Sequence, residues 1–387
     1  MRNDLTIKLK NIQKAIQNAN ADACLVSTNV NLYYCTGNVY TGYCYIPAIG
    51  KPLLLVKAGN VTGDNVFNIR KPEQISEILN NLGYSIPKTV LLEMGETPYA
   101  EIERLKTALN SKTYGDATSL FRKLRTYKTA YEIEQFKISS QKHIEAYKQI
   151  PEIYISGMTD LEFQYKMEYI MRKHGSLGYF RVFGSNMEIF MGSVLAGDNA
   201  EFVSPYDYAL GGAGSDNSLP IGANGTLLKN GMSLMVDMGG SFTPYISDIT
   251  RTFSIGKLSD LAYKAHDVSL NLHNYLKNDV KPGTACADIY NKCIDEAEKN
   301  GLSSYFMGTK HQAKFVGHGT GLQINEFPIL TSRSKEILEE NMVVAFEPKF
   351  VIPKIGAVGI ENTYLVTKTK IENLSLVEEK IIDLEAI

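Results

Sequence analysis

Apolar residues recur with two different periods in the first third of the chain, which predicts helices interleaved with strands. Residues 5–18 and 74–81 carry apolar side chains at helical spacing. Short, uninterrupted apolar runs at 23–26, 52–56 and 89–92 predict strands. Strands that alternate with helices are typical of an α/β unit with a largely buried sheet. We therefore predict an α/β N-terminal domain.

This pattern ends near the basic segment 122–128, and longer elements follow. Helices are predicted at 130–150 and at 160–173, where Asp160 is placed to cap the second helix. We put the domain boundary near Leu124, so that the two domains are residues 1–124 and 125–387. The later predicted elements are strands at 233–238, 248–254, 343–346 and 358–366 and helices at 260–276 and 286–300.

Composition narrows the class of protein. Of the 387 residues, 44% are apolar and 21% are charged, as in ordinary globular domains. Lys and Arg number 40 and Asp and Glu 42, so the net charge of −2 gives no reason to propose a nucleic-acid or anionic-membrane partner. The sequence has no run of about 18 apolar residues, no signal-peptide pattern and no CxxC pair among five cysteines. We expect a cytoplasmic protein with reduced thiols.

Two acids in apolar surroundings are the first sign of chemistry. Asp237 and Asp248 lie eleven positions apart, and each adjoins a β-branched, apolar run. A hairpin through Gly239, Gly240 and Pro244 would bring both carboxylates to neighbouring strands. The alternative is one exposed acid at each strand end.

Three further side chains strengthen the hypothesis that these acids belong to a chemical site. His318 lies between two glycines, which let backbone and side chain approach a ligand closely. Glu347 ends one apolar strand, and Glu361 lies inside another. Charged residues are costly to bury unless they are paired or bind a metal. Four carboxylates with one imidazole suit Mn, Fe, Co or Zn, and two such ions would leave a bridging position open for water.

Residues 192–225 are rich in Gly, Ser, Asn and Pro and are predicted to form a long loop. This segment leads directly into the first acidic strand. We expect it to fold over the metal cleft, although a solvent-facing connection is the alternative. Candidate contacts from the loop are Tyr206, Asp207, Tyr208, Ser215 and Asp216.

The order of these motifs resembles the creatinase, prolidase and methionine aminopeptidase superfamily. It runs from D-x10-D through GHGTGL (317–322) and FEP (346–348) to GIENT (359–363). Residues 21–38 also resemble the creatinase-type N-terminal domain, and residues 124–137 the segment that opens the catalytic domain in Xaa-Pro peptidases. The resemblance implies an α/β N-terminal domain followed by an α+β pita-bread domain. Relatives are commonly homodimers, so we expect a homodimer.

The resemblance also implies a role for each acid. Asp237 would chelate one of two divalent ions, Asp248 and Glu361 would bridge both, and His318 and Glu347 would hold the second. A bridging water or hydroxide would be the nucleophile. Glu347 would also relay a proton.

The sequence departs from the peptidases of this superfamily at three positions. Pro220 or Ile221, and Asn325, stand where two auxiliary histidines are usual, and Gly359 replaces an arginine common in proline-specific members. Asn325 could donate a hydrogen bond to an oxyanion, but it cannot shuttle a proton near neutral pH. Glu326, beside it, is either a substitute proton carrier or a solvated loop acid.

Three functions therefore stay open. The first is an aminopeptidase or Xaa-Pro dipeptidase-like metallohydrolase that acts on small peptides. The second is an enzyme of the same scaffold with a small non-peptide substrate, such as a creatine-type amidino hydrolase or a metal-dependent lyase. The third is a non-catalytic binding protein.

Overall fold

The chain folds as two units, Met1–Arg125 and Thr126–Ile387. The computed structural model describes residues 3–184, 187–206 and 208–386. The elements of the first unit are α1 (Asn3–Asn18), β1 (Ala23–Val26), α2 (Asn29–Thr36), β2 (Thr41–Pro47), β3 (Leu53–Ala58), β4 (Val66–Asn68), α3 (Gln74–Asn81), β5 (Thr89–Leu92), α4 (Tyr99–Leu109), β6 (Thr113–Asp116) and α5 (Thr118–Thr126).

The first unit is a mixed α/β sheet with helices, as predicted. Its strand order is β4-β3-β2-β1-β5-β6, with β1, β5 and β6 parallel and β1, β2 and β3 antiparallel. Strands β1 and β5 and helix α3 coincide with the predictions at 23–26, 89–92 and 74–81. The sequence pattern missed β6, whose four residues are all at least partly exposed and include a glycine.

The second unit combines helices with antiparallel sheets. Its elements are α6 (Ala130–Tyr147), α7 (Asp160–Lys173), β7 (Gly192–Ala196), β8 (Met232–Gly240), β9 (Ser247–Ile255), α8 (Asp260–Asn278), α9 (Cys286–Lys299), β10 (Gly317–Gly319), β11 (Glu326–Ile329), β12 (Val343–Phe346), β13 (Lys349–Ile352), β14 (Gly356–Gly359), β15 (Asn362–Val366), β16 (Ile371–Asn373) and β17 (Ile382–Asp383), with 3-10 turns at Ile150–Ile153 and Gly197–Glu201.

Helices α6 and α7 cover one face of the β17-β9-β8-β7 sheet. Val236 and Met238 of β8 and Ile249 of β9 belong to the core beneath these helices. Because side chains alternate along a strand, Asp237 and Asp248 lie on the opposite face. Helix packing on one side of the sheet therefore turns both acids toward the other side. In the described parts of the chain, no helix combines the length and apolar composition needed to cross a membrane.

The predicted hairpin between the two aspartates is confirmed. Strands β8 and β9 are antiparallel, and their register sets Asp237 opposite Thr250 and Gly239 opposite Asp248. The prediction of one strand at 358–366 was wrong, because the chain changes sheets there. Strand β14 pairs with β13, whereas β15 pairs with β12, and Glu361 lies at the break.

Two other local predictions also need correction. Residues 192–196 belong to β7, which pairs with β8, so the long loop begins later than predicted. The glycines beside His318 serve strand packing, since β10 is an inner strand between β11 and β12. A Cβ atom at Gly317 would collide with the carbonyl oxygen of Ala345, and one at Gly319 with that of Phe327.

Asp160 does not cap helix α7. Thr159 is the N-cap, and it forms a capping box with Glu162. The Asp160 carboxylate is buried and accepts the backbone N–H groups of Gly225 at 2.9 Å and Asn224 at 3.3 Å. The side chain therefore anchors the end of the loop that leads into β8.

We predict that Asp160→Ala lowers the free energy of unfolding by roughly 1–3 kcal/mol, because buried backbone donors lose their acceptor. Asp260→Ala is a matched control, since Asp260 is also the first residue of a helix but is exposed. That variant loses only the helix-dipole interaction, about 0.3–1 kcal/mol. Denaturant unfolding measures both, and equal losses would contradict the anchoring role.

Candidate metal centre

The structure brings all five predicted side chains into one cluster. Asp237 and Asp248 come from β8 and β9, His318 from β10, Glu347 from the residue after β12, and Glu361 from the break before β15. His318 Nε2 lies 3.6 Å from Glu347 Oε1 and 3.9 Å from Asp248 Oδ2. Three strands and two strand junctions therefore converge on one acidic point.

Backbone contacts hold the junction at Glu361 against β9. Glu361 and Thr250 exchange backbone hydrogen bonds of 3.1 and 3.3 Å, and the Thr250 hydroxyl donates to Glu361 Oε2 at 2.8 Å. The buried Arg251 guanidinium donates to the carbonyl oxygens of Thr250 and Glu361 and to Asn362 Oδ1, at 2.7 to 2.8 Å. These contacts fix the direction of the Glu361 side chain.

Lys349 is the member of the cluster that sequence reasoning missed. Its Nζ lies 2.9 Å from one oxygen each of Asp237, Glu347 and Glu361, and its side chain is 0% exposed. The sequence did carry a signal, because this lysine opens the apolar run KFVI two positions after Glu347. A lysine is rarely buried without a partner.

The electrostatics of the cluster show an excess of negative charge. Burial raises the pKa of Asp248 well above its usual range, and the charges of Glu361 and Asp237 raise it further. Burial alone disfavours the Lys349 ammonium, but the charges of Asp237, Glu347 and Glu361 outweigh it and raise the pKa of the lysine. Groups that suppress each other's ionisation in this way would be stabilised by an added cation.

The donor set fits one divalent ion. One atom each from Asp248, His318 and Glu361 lie within 4.8 Å of one another. Glu361 Oε1 is buried, and no residue in the described ranges forms a hydrogen bond with it. His318 Nδ1 donates to the carbonyl oxygen of Gly319 at 3.2 Å, which leaves Nε2 as a lone-pair donor. These three residues could therefore hold a metal ion of the kind that accepts oxygen and imidazole ligands.

The positions that depart from the peptidase pattern have structural partners of their own. Asn325 Oδ1 accepts the backbone N–H of Phe183 at 2.7 Å, and its Nδ2 donates to the Phe183 carbonyl at 2.8 Å. Glu326 is 1% exposed and pairs with Lys128 at 3.1 Å. The interpretation of Glu326 as a solvated loop acid was therefore wrong, because a buried ammonium compensates its charge. The catalytic role of Asn325 stays a prediction.

The backbone conformation favours glycine at position 359, where the resemblance leads one to expect an arginine. Its φ is +121°, and it pairs with Lys349 across β13 and β14. A Cβ atom there would lie 2.9 Å from the carbonyl oxygen of Pro348. A side chain at this position would strain the backbone and crowd the strand that carries Lys349.

A cavity of about 290 Å³ reaches the neighbourhood of the cluster through Phe315, although none of the four acids and the imidazole of the cluster lines it. Phe315 lines it, with its ring 6.4 Å from that of His318. Tyr206 and Tyr208 also line this cavity. Both belong to the long loop that is predicted to cover the metal cleft, which we call the lid. Burial, and then the charge of Asp248, raise the pKa of the Tyr208 hydroxyl, which has no hydrogen-bond partner among the residues that can be described. The long loop therefore contributes to this cavity a tyrosine whose hydroxyl has no partner among the described residues.

The other predicted lid contacts are less informative. Asp216 accepts hydrogen bonds from the backbone N–H and hydroxyl of Ser218, which forms a local turn. Ser215 is exposed. Asp207 lies outside the described residues. The prediction that the loop covers the metal cleft therefore rests on Tyr206 and Tyr208.

Carboxylates and an imidazole on the inner face of a sheet, beside a cavity, are typical of metal-dependent hydrolases. The profile of Metallopeptidase family M24 matches residues 134–368, and that of the Creatinase/Prolidase N-terminal domain matches residues 8–127. The chain belongs to Metallopeptidase family M24. The predicted pita-bread fold with a creatinase-type N-terminal domain is confirmed.

Individual relatives cover nearly the whole chain. The chain is 25% identical to the Xaa-Pro dipeptidase of Pyrococcus furiosus over 383 residues, which span 97% of this chain and 99% of that protein. It is 27% identical over 392 residues to an uncharacterized peptidase of Staphylococcus aureus, spanning 96% and 99% of the two chains.

Solved structures show the same fold. The Xaa-Pro dipeptidase from Bacillus anthracis superposes with a TM-score of 0.81 at 23% identity, covering 98% of this chain and 99% of that chain. The prolidase from Pyrococcus horikoshii OT3 gives 0.79 at 24% identity, covering 97% and 100%. At this identity the structural likeness shows the fold alone.

We predict that Asp248→Asn weakens divalent-metal affinity by at least the roughly 10–100-fold that loss of a supporting contact costs at metal sites. The amide keeps the shape of the side chain but removes the charge. Elemental analysis after dialysis against limiting Mn²⁺ measures the effect, and the exposed Asp260→Asn is the control. Unchanged metal content in Asp248→Asn would refute the assignment of this ligand.

Proposed function

We propose that this protein is a metal-dependent aminopeptidase or Xaa-Pro dipeptidase-like enzyme that hydrolyses short peptides. The observation that carries the proposal is the convergence of Asp248, His318 and Glu361. Phe315, whose ring lies 6.4 Å from that of His318, lines a nearby cavity. The family membership and the printed names of the relatives support the same reaction class. A homodimer remains a prediction.

Asp248, His318 Nε2 and Glu361 Oε1 would hold a divalent ion, which we propose to be Mn, Fe, Co or Zn. Such an ion, when bound, supplies a Lewis acid that activates water and polarises a carbonyl group. The Gly319 carbonyl fixes the His318 tautomer, and Arg251 fixes the Glu361 backbone. The protein therefore presents its ligands in one arrangement, which lowers the cost of reorganisation.

Glu347 is the best candidate for a proton acceptor. Its Oε2 is held by Lys349 at 2.9 Å, whereas its Oε1 faces His318 at 3.6 Å. The lysine therefore anchors one oxygen of the carboxylate and orients the other toward the reacting centre. A carboxylate held in this way can take a proton from an attacking water and pass it to a leaving amine.

The size of the cavity and the Tyr208 hydroxyl support a short peptide as the substrate. A volume of about 290 Å³ is at the lower end of the usual range for ligand sites and suits a dipeptide or tripeptide. The Tyr208 hydroxyl has no partner within the described ranges, and burial, followed by the charge of Asp248, raises its pKa. We infer that it donates a hydrogen bond to the substrate. Asn325, whose amide binds the backbone of Phe183, acts as a positioning residue.

We predict that the metal-loaded protein releases free amino acids from Xaa-Pro dipeptides, because the site combines a Lewis acid with a held carboxylate. The assay tests Mn²⁺, Co²⁺, Zn²⁺ and Fe²⁺ separately, with Xaa-Ala dipeptides as a measure of proline preference. Asp248→Asn serves as the inactive control. No release from either peptide series with any of the four metals would refute the peptidase proposal.

A second prediction concerns the lid. Tyr208→Phe should lower kcat/KM by about 10²-fold, which is typical for loss of one preorganised hydrogen-bond donor. Metal content should stay unchanged. Tyr206→Phe is the matched control, because that hydroxyl already donates to Glu188 at 3.0 Å on the surface. Equal kcat/KM values for both variants would show that the Tyr208 hydroxyl does not contact the substrate.

One observation favours a second candidate function. The two auxiliary histidine positions hold Pro220 or Ile221 and an Asn325 that is engaged with backbone. Orientation of a scissile amide would then depend on fewer groups, which favours a same-scaffold enzyme for a small non-peptide substrate. Intact metal binding together with no peptide hydrolysis would support this alternative.

A further inference from the structure

We propose that the ammonium group of Lys349 permanently occupies one of the two cation positions in the acidic cluster, so that the centre binds a single divalent ion. This inference rests on the proposed metal centre and changes its cation count. The sequence resemblance implies two ions, and Lys349 was not part of that expectation.

The ammonium group of Lys349 has an acceptor for each of its hydrogen-bond donors. An ammonium group has three hydrogen atoms to donate. Lys349 Nζ has three carboxylate neighbours, Asp237 Oδ2, Glu347 Oε2 and Glu361 Oε2, each at 2.9 Å. This length is usual for a charge-assisted N–H···O hydrogen bond. Every donor is therefore used by an acid of the cluster.

The same oxygens are those that a second ion would need. The resemblance implies that Asp237 chelates one ion and that Glu361 bridges both. Metal–oxygen bonds are about 2.0–2.2 Å long for Zn²⁺, so an ion that took these three oxygens would overlap the ammonium. The donors that Lys349 does not contact include Asp248, His318, Glu347 Oε1 and the Oε1 atom of Glu361. Glu361 would still bridge two cations, but one of them would be the Lys349 ammonium.

The net charge of the acidic cluster also favours a single divalent ion. The four carboxylates carry four negative charges when ionised, and the Lys349 ammonium that contacts three of them carries one positive charge. A single divalent ion brings the positive charge to three, so that the centre keeps a small net negative charge. A second ion would raise it to five and place two metals and an ammonium together in a buried site. Such repulsion is costly where the effective dielectric constant is low.

The fold supports the lysine in this position. Strand β13 is buried throughout, and Lys349 pairs there with Gly359, which has no side chain to compete for the space. The backbone carbonyl of Lys349 also accepts the N–H of Met307 at 2.9 Å. The side chain is therefore directed into the cluster by the sheet itself and is not drawn in from the surface.

The decisive experiment counts metal ions in the unaltered protein. Apo-protein is titrated with Mn²⁺ and followed by calorimetry, elemental analysis and electron paramagnetic resonance. We expect one ion per chain and the six-line spectrum of an isolated Mn²⁺. Two ions per chain with an exchange-coupled spectrum would overturn the inference and leave the metallopeptidase proposal standing. No bound metal would overturn both.

Variants test whether the lysine causes this count. In Lys349→Ala we expect the stoichiometry to rise to two and the metal-free protein to melt at a lower temperature. Lys128→Ala is the matched control, since Lys128 is also a buried lysine paired with a buried glutamate. It should lose stability but keep one ion per chain. A folded Lys349→Ala protein that still binds only one ion would overturn the inference.

Discussion

The structure depends on the pairing of buried carboxylates with a buried cation. Asp237 lies 112 positions from Lys349 in the chain, whereas Glu347 and Glu361 lie 2 and 12 positions away. Each places an oxygen 2.9 Å from Lys349 Nζ. Without compensation, such a group of acids would be driven toward protonation or exposure to water. The lysine is therefore as much a part of the architecture as of the site.

The positions of the acids follow from strand geometry. Val236 and Ile249 pack under the helices, so alternation turns Asp237 and Asp248 to the other face. Glu347 and Glu361 instead lie where the chain leaves one sheet and enters another. At such breaks a side chain is free of the usual alternation, and backbone bridges such as that to Thr250 define its direction.

The molecule keeps the scaffold of a peptidase family while altering the groups around its metal centre. Family M24 membership covers the catalytic unit, and the creatinase-type domain precedes it. Around the centre, Asn325 binds backbone, Gly359 faces a neighbouring strand, and Lys349 contacts three of the acids. The fold of the family is therefore retained, while Asn325 and Gly359 stand where other residues were expected from the resemblance.

The sequence alone was enough to predict the α/β unit, the hairpin of the two aspartates and the five candidate ligands. Each of those predictions rests on a local property, namely the period of apolar residues, an acid in or beside an apolar run or, for His318, the two flanking glycines. The sequence could not reveal that Lys349 contacts Asp237 or that Glu326 pairs with Lys128. Those pairs join residues more than a hundred positions apart, and they form only when several strands pack together. Tertiary structure therefore decided which charges meet, because electrostatic pairing depends on distances in space that no local pattern encodes.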